Sequence, residues 1–147
     1  MQVKDIMTTN LKTVTPDTPV KDLAMMMVME HISGAPVVDE ENNLVGIISE
    51  KDILQHMFPD LNELMNDTKP DFEEMERNYN STINMTVKDL MTPNVASVAP
   101  DIPCLKAASM MWLRKFRRIP VAENGKLVGI VSIGDVHRAI FKSSMMG

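Results

Sequence analysis

The chain has 147 residues, of which 44% are hydrophobic and 24% charged, a balance that excludes an intrinsically disordered or collagen-like chain. Its single cysteine, Cys104, excludes an internal disulfide framework and a thiolate-based zinc site. The net charge of -5 is uneven: residues 1–54 and 55–86 each carry -5 and residues 87–147 carry +5, so the acidic whole argues against general nucleic-acid binding while the basic last third leaves room for one local anion site.

In chain order, the opening Met1-Gln2-Val3-Lys4-Asp5 lacks the apolar stretch of a secretory signal, and the longest apolar run, Leu23 to Met29, is too short to span a bilayer. The expectation is a protein of the reducing cytoplasm with no membrane partner. A short extended piece is predicted around Val14. A helix follows from about Thr18 to His31, with Pro19 in its first turn and Gly34 as its stop signal. Ala35-Pro36-Val37-Val38 and Leu44 to Ile48 are short, apolar and rich in β-branched residues, and read as a hairpin around Glu40 to Asn43. A second helix is predicted over Glu50 to Met57. Residues 55–86, broken by Pro59 and Pro70, suggest two short acidic helices, Asp60 to Asp67 and Asp71 to Asn80. These read either as a solvated strap or as a cover over a ligand cleft or partner surface. The same elements then return: an extended piece at Val98, a helix from Ile102 to Lys115, strands Ile119 to Ala122 and Leu127 to Val131 around an Asn124-Gly125 turn, and a helix from Ile133 to Lys142.

The return is a duplication. Val3-Lys4-Asp5-Ile6-Met7-Thr8 recurs as Val87-Lys88-Asp89-Leu90-Met91-Thr92, and Leu44-Val45-Gly46-Ile47-Ile48-Ser49 as Leu127-Val128-Gly129-Ile130-Val131-Ser132. Residues 3–40 and 44–54 share 21 identities in 49 positions with their partners, far above chance. Each copy is a β-α-β-β-α unit, so the fold class is α+β: two repeats packed with pseudo-twofold symmetry, small sheets flanked by helices. The expected division is repeat 1 over 1–57, an acidic helical connector over 58–84, and repeat 2 over 85–147.

Two stretches carry candidate chemistry. Gly46-x-x-Ser49-x-x-Asp52 and Gly129-x-x-Ser132-x-x-Asp135 fall where a strand ends and a helix begins. Ser at the N-cap with Asp three residues on is a capping box, which accounts for both residues without a ligand. The same geometry suits a nucleotide: helix N–H groups face a phosphate, a carboxylate accepts both ribose hydroxyls, Ser donates, and Gly lets a ligand near the backbone. In Arg114-Lys115-Phe116-Arg117-Arg118, the first two suit a helix C-terminus, whereas Arg117 and Arg118 immediately precede a strand. Repeat 1 has Ser33 and Gly34 there instead.

The repeats resemble cystathionine-β-synthase (CBS) domains, and the pair resembles a Bateman module. Val-Lys-Asp-Ile-Met-Thr with Thr-Val-Thr-Pro-Asp, Gly34-Ala35-Pro36-Val37-Val38-Asp39 and Gly46-Ile47-Ile48-Ser49-Glu50-Lys51-Asp52, each with its counterpart, carry the resemblance over about three-quarters of the chain. It implies a non-catalytic sensor that binds an adenosine-containing ligand in clefts between the copies, forms a homodimer and signals to an effector protein. AMP, ADP or ATP would be the regulatory ligand, with Mg²⁺ left open and no cofactor required. In one cleft Ser49 and Asp52 would hold ribose, Arg117 and Arg118 phosphate, and Val98 and Ile119 the adenine. The mirror cleft would use Ser132, Asp135, Val14 and Ala35 with little positive charge. The alternative is a structural dimerisation module whose clefts stay empty.

Six of the fifteen methionines fall on the first helix of each repeat, Met25, Met26, Met27 and Met29 in one copy and Met110 and Met111 in the other. Val20, Leu23, Ala24 and Met27 form the core stripe, while Met26, Met29, Met110 and Leu113 lie off it, serving either a wide core contact or a dimer interface. His31, His56 and His137 have no metal-ligand spacing, and no residues group as acid, base and nucleophile.

Overall fold

A single turn of 3-10 helix at Val3–Asp5 opens the chain, with Gln2 and Asp5 closing a capping box in which the Asp5 carboxylate accepts the Gln2 N–H at 2.9 Å. In the computed structural model, which describes residues 1–58 and 71–147, the elements that follow are α1 (Val20–Glu30), β1 (Gly34–Val38), β2 (Leu44–Ser49), α2 (Glu50–Leu54), α3 (Phe72–Thr82), α4 (Val87–Leu90), β3 (Thr92–Pro93), α5 (Cys104–Arg114), β4 (Arg118–Glu123), β5 (Lys126–Ser132) and α6 (Ile133–Met146). The expected β-α-β-β-α order is present in each repeat. The helix proposed over Asp60 to Asp67 lies outside the described residues.

Two compact units form, and they divide the chain differently from the sequence repeat. One contains Met1–Lys12, Glu40–Leu44 and Asn94–Gly147; the other contains Thr13–Asp39 and Val45–Pro93. Each unit is built on one repeat and completed by the opening segment of the other. Val3 N–H donates to Ile102 O at 3.0 Å and Lys4 N–H to Pro100 O at 2.8 Å. Eighty-four residues on, Val87 N–H donates to Thr18 O and Lys88 N–H to Pro16 O, both at 2.9 Å. The apolar residues of these segments then enter the cores. Val3 joins Val98, Cys104, Ala107, Met111, Ile119, Val121, Val131 and Val136; Val87 and Leu90 join Val20, Leu23, Met27, Val37, Ile48 and Ile53. Burial of the Cys104 thiol raises its pKa.

The sheets follow the same internal symmetry. β1, β2 and β3 form one sheet in that order, with β3 antiparallel to β2 through Ile47–Thr92 and Gly46–Pro93. β4 and β5 form an antiparallel pair with a bulge between Val121 and Ala122, closed by Asn124 and Gly125 at φ 54° and 81°. The extended pieces predicted around Val14 and Val98 are single parallel bridges to Val37 and Val121.

Two local expectations change. Pro19 and Pro103 stand just before the helices, at the N-cap rather than inside the first turn. Gly34 does not stop α1. His31 does, at φ 55°, with Ile32 N–H bonded back to Met27 O at 3.2 Å; Lys115, at φ 60°, does the same for α5 with Phe116 N–H on Met111 O at 2.8 Å. Of the residues off the core stripe, Met26 and Met110 make the wider core contact, each packing against its own core. Met29 and Leu113 do face outward, as do Met25, Val28, Leu105 and Trp112, the last 78% exposed.

α3 is N-capped by Asp71, whose carboxylate accepts Glu74 N–H at 3.0 Å. Tyr79 and Ile83 dock against the first core, Thr82 is buried, and Glu73, Glu74 and Glu76 are exposed. At α4, the backbone N–H and hydroxyl of Thr86 both donate to Asp89 and lower its pKa. A depressed carboxylate stabilises the fold above its unfolded pKa, about 4, and that contribution is lost as pH falls through the folded value. Asp89→Asn is therefore expected to flatten the acid limb of a thermal-stability profile measured from about pH 6 to pH 2. Among the described residues, no helix is long and apolar enough to cross a membrane.

Candidate functional site

The two strand-to-helix corners are built alike. Ser49 ends β2 with extended backbone and caps α2, and its N–H donates to Asp52 Oδ2 at 2.9 Å while its hydroxyl lies 3.2 Å from the same oxygen. Ser132 ends β5 and caps α6; its N–H donates to Asp135 Oδ2 at 2.9 Å, and its Oγ accepts Asp135 N–H at 3.0 Å. Both predicted Ser–Asp pairs are therefore brought together as capping boxes. In each, one carboxylate oxygen is used by the cap.

The remaining oxygens differ. Asp52 Oδ1 has no partner among the described residues. Asp135 Oδ1 accepts Arg138 Nη2 at 2.5 Å. Sequence reasoning missed Arg138, although Asp135 and Arg138 stand at the i,i+3 spacing that lets a helix pair them.

Arg117 and Arg118 are exposed, and no side-chain partner holds them among the described residues. Their backbone joins the second corner directly: Arg118 stands opposite Ser132 in the β4–β5 register, and Ile133 N–H donates to Arg117 O at 2.9 Å. Paired residues of an antiparallel ladder project from the same face. The first repeat copies this with smaller residues, since Glu50 N–H donates to Ser33 O at 2.9 Å. A Cβ on Gly34 would lie 3.0 Å from Ile48 O, so β1 and β2 approach closely there.

The four residues proposed to line the adenine are core residues of their own units. Val14, Ala35, Val98 and Ile119 are all at most 5% exposed. Val14 and Val98 also spend their main-chain groups on bridges, Val98 N–H to Pro120 O at 3.0 Å and Ala122 N–H to Val98 O at 2.9 Å.

Gly46 and Gly129 do not hold space open for a ligand. A Cβ on Gly46 would meet Met91 Sδ at 2.8 Å and Thr92 O at 2.9 Å; one on Gly129 would meet Met7 Sδ at 2.7 Å and Thr8 O at 3.0 Å. The methionine of each opening motif fills that space, and the chain segment behind it pairs with the glycine's strand. Among the described residues, no three His, Cys, Asp or Glu side chains group as a metal site.

The CBS domain family model matches residues 3–58 and 87–142. A chloroplastic CBS domain-containing protein of Arabidopsis thaliana, CBSX2, is 35% identical over 93% of this chain, which spans 62% of that protein's length. The crystal structure of CBSX2 superposes with a TM-score of 0.79 at 34% identity, covering 98% of this chain and 96% of that one. A second structure is CBSX2 in complex with AMP, with a TM-score of 0.76, 34% identity and coverage of 97% and 98%. The CBS domain pair of protein MJ0100, in complex with 5'-methylthioadenosine and S-adenosyl-L-methionine, aligns at 26% identity with a TM-score of 0.70 over 97% of this chain and 98% of that one. With both copies matched and the same opening motif completing each unit, this chain belongs to the CBS domain family as a tandem CBS pair.

Proposed function

We propose that this chain is a non-catalytic regulatory module that binds an adenosine-containing ligand, with AMP, ADP or ATP as the class, and signals its binding to an effector protein. The observation that carries the reading is Asp52: its Oδ2 completes the cap while its Oδ1 has no partner among the described residues. A held carboxylate with a free oxygen is suited to accept ribose hydroxyls. The AMP complex of CBSX2 and the adenosine-derivative complex of MJ0100 support the same ligand class.

In this reading Ser49 and Asp52, and in the second repeat Ser132 and Asp135, take the ribose. Arg117 and Arg118 take phosphate through charge-assisted contacts. The base would rest against the small exposed margins of Val14, Ala35, Val98 and Ile119. A cytoplasmic setting and a homodimer belong to the proposal. Met25, Val28 and Met29 on α1, and Leu105, Trp112 and Leu113 on α5, expose apolar area that a second copy would cover. The size of any signal is bounded by the ligand's differential affinity for the two states of the module.

Native mass spectrometry of the protein purified from its own host tests the reading. It is expected to report a dimer carrying an adenosine compound. A bare dimer that gains no mass on adding AMP would favour a structural dimerisation module instead.

A further inference from the structure

The duplication makes Asp52 and Asp135 equivalent in sequence, yet their chemical settings differ. Asp135 Oδ1 is occupied by Arg138, which is itself 66% exposed, while the Asp135 side chain is only 17% exposed. The first-repeat counterpart of Arg138 is Gln55, whose side-chain nitrogen lies 3.4 Å from the His56 ring. Arg138 also lines a hollow of about 710 Å³ between one face of α6 and the opening 3-10 turn, together with Asp5, Ile6, Asp135, Lys142 and Ser143. All of these residues belong to one compact unit. The volume falls in the range of small-molecule sites. Of the two acids lining it, Asp5 has Oδ2 committed to the Gln2 N–H, and Asp135 is paired with Arg138. Lys142, one turn beyond Arg138, is exposed and without an acidic partner among the described residues.

We propose that Arg138 sets the charge preference of the second repeat's site: it keeps Asp135 Oδ1 closed to neutral nucleosides and yields it to nucleotides, whose phosphate draws the guanidinium and Lys142. This rests on the adenosine reading above and adds the rule by which one of the two sites selects its ligand. A neutral nucleoside that approaches Asp135 with its diol must break the Arg138 pair and offers the guanidinium nothing in return. A nucleotide offers a phosphate, which suits the planar fork better than a single carboxylate oxygen. Because Arg138 is largely solvated, the pair it leaves is weak and the exchange is inexpensive. The first repeat, with Gln55 in place of the arginine, imposes no such condition on Asp52.

The test is titration of full-length wild type, Arg138→Gln and Arg138→Lys with AMP and with adenosine, with bound molecules per chain counted by native mass spectrometry. Arg138→Gln reproduces the first repeat's chemistry at an exposed position, so folding is preserved. At one of the two sites its AMP-to-adenosine affinity ratio is expected to fall about tenfold, with adenosine gaining and AMP losing. Arg138→Lys retains most of the wild-type ratio. An unchanged ratio in Arg138→Gln, with AMP still bound, leaves the adenosine reading standing and overturns the role of Arg138. A wild type that binds neither compound overturns both.

Discussion

Valine at Gly46 or Gly129 is expected to destabilise the protein by about 3 kcal/mol, because the side chain must enter space already filled in each unit. The obstacles are the thioether of Met91 and the Thr92 carbonyl at one site, and those of Met7 and Thr8 at the other. A methionine can swing away, but a strand carbonyl cannot without giving up its pairing. For a chain of this size the loss corresponds to a fall in Tm of about 6–12 °C by calorimetry. Combining Gly46→Ala with Met91→Ala should recover part of the cost of Gly46→Ala, giving a favourable coupling in a double-mutant cycle. A Gly46→Val protein with unchanged stability and lost ligand affinity would return this glycine to the role of admitting a ligand to the backbone.

Asp52→Ala is expected to weaken adenosine-nucleotide binding at the first site by about 100-fold, the scale of losing two hydrogen bonds to a charged acceptor. The same change removes the acceptor for the Ser49 N–H and should lower stability by about 1 kcal/mol. Asp52→Asn separates the two effects: its side-chain oxygen can still accept the Ser49 N–H, but the charge and one acceptor are gone. Titration calorimetry well below the melting transition should show both variants weakened, with Asp52→Asn closer to wild-type Tm. Unchanged affinity in both would confine Asp52 to capping.

The duplication, the helices and the strands of each repeat were legible because each signal is local. Apolar periodicity places α1 and α5, and Asn124-Gly125 places the β4–β5 turn. Ser49, Asp52, Ser132 and Asp135 were legible for the same reason, since a capping box spans only four consecutive residues. What escaped was non-local or degenerate. Gly34 looks like a helix stop, but the left-handed position falls on His31 and Lys115, which tolerate it when the last-turn bonds and the following apolar residue hold it. Nothing in Val3-Lys4-Asp5-Ile6-Met7 announces that it completes the unit built on the other repeat, because either repeat offers an equivalent docking edge. Arg138 escaped because at i,i+3 from an acid it resembles any surface helix pair. Only its place beside the hollow, and Gln55 at the matching position, set it apart.

Arg138 places a positive charge beside the second repeat's Asp135, where the first repeat has Gln55. Arg138 and Lys142 sit with Asp135 in one unit, and the backbone of Arg117 and Arg118 adjoins Ser132 and Ile133 in the same unit. In the proposal the two sites differ in whether the second carboxylate oxygen is already paired before the ligand arrives: Asp135 Oδ1 is held by Arg138, and Asp52 Oδ1 has no partner among the described residues.

The central claim, that the helix-capping carboxylates grip a sugar, is tested most directly by a crystal structure of the full chain with AMP. Ribose hydroxyls are expected within hydrogen-bond distance of the Asp52 or Asp135 carboxylate, with the Ser49 or Ser132 cap intact. AMP bound at saturating concentration with its ribose away from both carboxylates would contradict it.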